Sequence, residues 1–180
     1  MAKYTKQKLA EALKSLLAER QLDKITVKEI TDRCSLNRQT FYYNFQDVFS
    51  LLDWIFLQEV ETMHIGDLSH PWQDSFTQAF SYLCKNKSMV LNIYNSVGRV
   101  RLEQHLRSAL VSVFEARIEQ LSPGKLSAES KKFYTTFFAS GLLGIIFAWL
   151  DNSMTSNLNI SIEQLAELTD RSIRAVLQEN

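Results

Sequence analysis

Glycine and proline are scarce in this chain, five and two among 180 residues. With so few backbone breaks and little β-branched alternation, the sequence argues against sheets and for helices. Cysteine is as rare. Cys34 and Cys84 make neither a disulfide framework nor a metal-ligand cluster, which suits a reducing cytoplasm. The three histidines, His64, His70 and His105, lack metal-type spacing and read as surface or loop residues. No metal and no cofactor is expected. Lys and Glu interrupt the first apolar pattern, so it does not read as a signal peptide. A nucleophile–base pair, a matched pair of carboxylates and a phosphate loop are all missing, and an enzyme is not expected. Internal repeats and low-complexity stretches are absent too. So is net charge: 20 basic side chains balance 20 acidic ones.

What is present is core material. Hydrophobic residues make up 46% and charged residues 22%, enough for one compact domain or a small module on a larger one. The balanced charge is also unevenly placed. Residues 1–50 carry nine basic and six acidic side chains, a surplus of three, and residues 51–180 carry eleven and fourteen, a deficit of three. A basic end on an acidic body suits an anionic partner, although an ordinary solvated face gives the same bias.

Helical periodicity runs through the chain. Leu9, Leu13, Leu16 and Leu17 recur on one face between Thr5 and Arg20. "ITVKEI" opens a second helix, with Thr26 and Glu29 spaced as a capping box, Ile25 and Ile30 as its staple, and Val27, Ile30 and Cys34 as its buried stripe. "SLN" is a turn, and a third short helix begins near Asn37. Further helices are expected over about 47–63, 72–86, 88–97, 99–121, 127–151 and 161–178, with Pro71 in a first turn. Ser161 and Gln164 form the last capping box, stapled by Ile160 and Leu165. The expected fold is all-α: a three-helix head over 1–50, a helical body over 51–180, and about nine helices in all.

"SLNRQTFYYNF", residues 35–45, raises the question of function. Placed on a helix, Phe41 and Phe45 share an inward face against Val27 and Ile30. Gln39 and Tyr43 fall opposite, with Thr40 and Tyr42 on the flanks. Two short helices and a three-residue turn after a longer helix have helix-turn-helix layout. Amides and hydroxyls on an exposed helix can read base edges, while Tyr, Lys and helix N-termini suit phosphates. The aromatics could instead simply shield a small core.

At these residues the chain resembles a known family. "TVKEITDRCSLNRQTFYYNFQD", followed by "LLDWIF", looks like the DNA-binding region of TetR-type transcriptional regulators. The wording "NRQTFYYNFQD" with a downstream "LLDW" is similar to the dihydroxyacetone-kinase regulator (DhaS-like) subgroup. Carried over by position, the resemblance implies that Thr26 and Lys28 approach DNA from the second helix. Arg38, Gln39 and Thr40 then start the base-reading helix, Tyr42, Tyr43 and Asn44 lie against backbone or groove, and Asn37, where the helix begins, completes the DNA-binding set. Two positions depart from the family pattern. Ser35 stands where Gly is common in the turn, and Gln46 and Asp47 stand where Lys is common at the start of the fourth helix, which removes a phosphate contact.

The resemblance also implies a homodimer through the last two helices, a near-palindromic operator in double-stranded DNA and a body that holds an effector site. Gly141 and Gly144 would allow close helix approach, with Ile162, Leu165, Thr169, Ile173 and Val176 as the stripe of the last helix. Trp54, Phe80, Tyr94, His105, Tyr134 and Phe138 are candidate effector lining, although bulky aromatics at helical spacing are more often core. The 18 residues 133–150 are apolar enough to suggest a membrane span, but two Thr and a Ser dilute them, and no membrane is expected. The leading expectation is therefore a cytoplasmic, sequence-specific DNA-binding regulator. Its rival is a helical co-regulator working through a protein partner, with a small molecule or a sensor protein as effector.

Overall fold

The computed structural model describes residues 2–63, 72–155 and 162–178. Among them are nine α-helices and no strand: α1 (Ala2–Glu19), α2 (Val27–Arg33), α3 (Arg38–Asn44), α4 (Val48–Thr62), α5 (Trp72–Lys85), α6 (Lys87–Tyr94), α7 (Arg99–Leu121), α8 (Ala128–Asp151) and α9 (Ile162–Gln178). A single 3-10 turn, Leu22–Lys24, separates α1 from α2. The all-α class is as the sequence indicates. Pro71, Ile160 and Ser161, with His64 and His70, fall outside the described residues.

The helices form two units. One comprises Met1–Glu59 with Asn86–His105, the other Val60–Lys85 with Leu106–Asn180. In the first unit Leu9, Leu13, Leu16 and Leu17 are at most 1% exposed, which makes α1 the spine of a small core. Met89, Val90, Ile93 and Tyr94 of α6 are buried in the same unit. Asn92 donates its amide to the Leu17 carbonyl at 2.8 Å, near the end of α1. The head expected over 1–50 therefore shares its unit with α6 and the start of α7. Gly98 lets the turn before α7 press close, because an added Cβ would lie 2.9 Å from Leu22 and 3.0 Å from Ile93.

In the second unit Phe80 stacks on Trp149 at 5.7 Å, and Phe114 meets Phe138 at 5.9 Å. A buried ion pair joins α7 to α9, with Arg117 Nε donating to Asp170 Oδ1 at 2.9 Å. Arg174 supports the same carboxylate at 2.7 Å. Burial pushes the Asp170 carboxyl up, but the hydrogen bonds from Arg174 and Arg117 outweigh it and hold the pKa below the ordinary value.

Ser35 is the telling backbone position of the head. It adopts a left-handed φ of 56° immediately after the C-cap of α2. Ser35 N–H donates to the Asp32 carbonyl at 3.3 Å and Leu36 N–H to the Thr31 carbonyl at 2.9 Å, the paired bonds of a Schellman ending. The residue that replaces the common glycine thus keeps the glycine conformation. A Ser in this region costs roughly 1 kcal/mol, while a β-branched residue costs more. Ser35→Gly should hold or raise the urea midpoint, and Ser35→Val should lower stability by about 1–2 kcal/mol. Equal stability of the two variants would show that the turn carries no such strain.

Candidate nucleic-acid interface

Two short helices build the outward surface, each fixed by its own caps. At α2, Thr26 Oγ1 accepts from Glu29 N–H at 3.3 Å, while the Glu29 carboxylate takes the Thr26 N–H at 2.9 Å and its hydroxyl at 2.8 Å. The expected capping box is present. Arg20 adds an ion pair to Glu29 at 2.8 Å. The backbone and hydroxyl bonds from Thr26 hold the Glu29 carboxyl below its ordinary pKa. Arg33 grips Glu19 at 2.9 Å and Ser15 at 2.7 Å, tying the end of α2 to α1. That guanidinium lowers the Glu19 pKa through its hydrogen bond.

At α3, Asn37 is the N-cap. Its Oδ1 accepts the Thr40 N–H at 2.7 Å and the Thr40 hydroxyl at 2.9 Å. Asn44 turns back and donates to the Thr40 carbonyl at 2.8 Å. Beneath the helix, Phe41 is wholly buried and Phe45 is 7% exposed, their rings 6.1 Å apart. Phe45 meets Trp54 of α4 edge-on, also at 6.1 Å. Outward stand Arg38, Gln39, Tyr42 and Tyr43, all exposed, with Tyr43 the furthest out at 87%. Lys28 projects from α2 and is exposed as well.

The nine head residues thus fall into two groups. Lys28, Arg38, Gln39, Tyr42 and Tyr43 present side chains to solvent. Thr26, Asn37, Thr40 and Asn44 are engaged in holding the helices, which sequence pattern alone did not separate. The α2 stripe also differs in detail. Ile30 and Thr31 are its buried members, Val27 is half-buried, and Cys34 is the half-buried C-cap. Thr31 tolerates burial because its hydroxyl bonds back to the carbonyls of Val27 and Lys28 at 3.0 and 2.9 Å. Asp47, the departure at the start of α4, accepts the Ser50 N–H at 2.7 Å and so acts as a helix cap.

The six aromatic and histidine candidates for effector lining are divided between the units, three in each. Tyr94 and Phe80 are both 2% exposed, in core positions. Trp54 packs on Phe45, Phe138 on Phe114, and Tyr134 on Phe133. His105 is a half-buried helical residue rather than a loop residue. It bonds Asp53 at 3.0 Å and lies 4.8 Å from the Phe56 ring. None of the six lines either of the two described cavities, of about 310 and 410 Å³, both in the first unit. Of the dimer candidates, Gly141 and Gly144 face outward on α8. Ile173 is wholly buried inside its own unit, so the α9 stripe points inward there; Thr169 and Val176 are half-buried. The side chains of Ile162 and Leu165 lie outside the described residues.

A capped second helix, a tight turn and an aromatic-backed, polar-faced third helix have the layout of a helix-turn-helix. Residues 70–171 match the TetR-type family described as "Transcriptional regulator C-terminal region". The match spans more than half of the chain, which belongs to this family of transcriptional regulators and not to a family of enzymes. Over 92 residues, 50% of its length, the chain is 32% identical to the HTH-type dhaKLM operon transcriptional activator DhaS of Lactococcus lactis subsp. lactis (strain IL1403). The matched stretch spans about half of that relative, 49% of its length. A solved structure, dihydroxyacetone kinase operon activator DhaS, shares the fold with a TM-score of 0.70 at 22% identity, over 97% of this chain and 96% of that one.

Proposed function

We propose that this cytoplasmic regulator reads a near-palindromic DNA operator as a homodimer, placing α3 of each head in a major groove. The observation that carries the reading is the two-sided character of α3. Phe41 is fully buried while Arg38, Gln39 and Tyr43 of the same helix stand in solvent. The caps divide the labour further. Gln39 and Arg38 have free hydrogen-bonding groups for base edges, Tyr42 and Tyr43 flank the backbone, and Lys28 supplies a phosphate contact. Thr26, with its hydroxyl and N–H given to Glu29, serves chiefly to hold α2. Any small-molecule effector or sensor protein would act only by binding two states of the body with different affinity.

Support for the dimer comes from α8. Phe133 and Phe137 are 64% and 62% exposed with rings stacked 6.4 Å apart, and Ile145 is exposed on the same helix. An added Cβ at Gly141 or Gly144 would meet nothing within 4 Å. Small size at these positions therefore answers no demand among the described residues of the protomer, and suits close approach by a second helix. α8 is the one described helix long and apolar enough to cross a membrane, and a partner subunit accounts for that surface in a soluble regulator.

The head is tested by titrating labelled operator with the purified protein at several salt concentrations. Gln39→Ala should cost about 1–3 kcal/mol per half-site and relax preference at particular base pairs. Lys28→Ala should weaken all sequences alike and flatten the salt dependence by about one unit per half-site. Unchanged sequence preference in a folded Gln39→Ala protein would refute the proposed reading face. For the dimer, light scattering should report two subunits for the native chain, joined over more than about 1,200 Å². Phe137→Glu should then give a folded monomer. A native monomer at micromolar concentration would refute the interface.

A further inference from the structure

The first unit holds a cavity of about 310 Å³. It lies where the 3-10 turn, the start of α2, the recognition helix, the α3–α4 connection and the turn before α7 meet. Leu22, Ile25, Val27, Val48, Phe49 and Val97 give it apolar walls, and Tyr42 joins them from α3. The charged lining consists of Asp23 and Asp47, with no basic residue among the lining side chains. Its size falls at the lower end of small-molecule sites, roughly 300–1,000 Å³.

The electrostatics of this lining select a sign. Asp47 spends Oδ1 on the Ser50 N–H at 2.7 Å, and among the described residues its Oδ2 has no hydrogen-bond or ion-pair partner. Asp23 pairs with Lys24 at 3.5 Å, whose side chain is 69% exposed. Arg101, which lies over the Phe49 ring at 4.8 Å, is paired with Asp53. Two carboxylates beside an apolar surface favour a ligand that is both greasy and positive.

We infer that this cavity is a binding site for a small amphipathic cation, with its apolar body against Val27, Val48, Phe49 and Val97 and its ammonium or guanidinium head at Asp47 and Asp23. The ligand touches the recognition helix through Tyr42 and the first turn of α4 through Asp47 and Val48, so it braces the joint between them. The site shares Tyr42 with the proposed DNA-facing surface, but its ligand is not DNA and its test needs neither operator nor dimer.

The test uses the full chain with labelled Ile, Leu and Val methyl groups and 2-phenylethylammonium chloride as probe. Saturable shifts are expected at Leu22, Ile25, Val27, Val48 and Val97. 2-Phenylethanol, with the same body and no charge, should bind about fivefold more weakly, and so should the cation to Asp47→Asn. That variant keeps the cap of α4, because Asn caps as well as Asp. Val97→Trp should block the site with the fold intact, since Val97 is 61% exposed. Absence of saturable shifts at these methyls would overturn the assignment. Equal binding of the alcohol, or unchanged binding to folded Asp47→Asn or Val97→Trp, would overturn it too.

Discussion

Phe41, wholly buried, holds α3 to the head, and Phe45 continues the contact to Trp54 of α4 through rings 6.1 Å apart. A helix of seven residues has no stability of its own in water. Burying these two rings contributes roughly 1.5–3 kcal/mol each, more than any single surface contact of the helix. The same burial sets the rotation of α3. With Phe41 and Phe45 inward, Gln39 and Tyr43 have only solvent to face. The reading surface is thus a geometric consequence of an aromatic anchor.

Around that anchor, polar side chains are spent in two ways. Those at helix ends satisfy backbone groups: Thr26 with Glu29 at α2, Asn37 with Thr40 at α3, Asp47 with Ser50 at α4. The rest, Lys28, Arg38 and Gln39, stay exposed. The head can therefore be rigid and still offer hydrogen bonds outward. Its ion pairs, such as Arg33 with Glu19, are exposed and add little individually. They fix the seating of α2 on α1 more than they stabilise it.

Much of this was legible in the sequence because it rests on short-range rules. The capping box at Thr26 and Glu29, the inward pair Phe41 and Phe45, and most helix limits follow from spacing alone. Long-range consequences were not legible. Pattern could not show that α6 joins the unit of α1, where Met89, Val90 and Ile93 are buried and Asn92 reaches the Leu17 carbonyl across 75 residues of chain. Nor could it separate capping residues from reading residues at Asn37, Thr40 and Asn44, whose chemistry suits both roles. Ile173 illustrates the same limit, because an apolar stripe states that one face is buried without saying against what. The aromatic candidates for an effector site carry the same ambiguity: helical spacing of aromatics describes a core as readily as a pocket.

The most direct measurement is amide and side-chain resonance mapping of the full chain on adding an operator duplex. The largest changes should fall on Arg38, Gln39, Tyr43 and Lys28, while Phe41 and Phe45, beneath them, keep their ring environment. Changes concentrated on α8 or α9, with α3 silent, would contradict the proposed reading face.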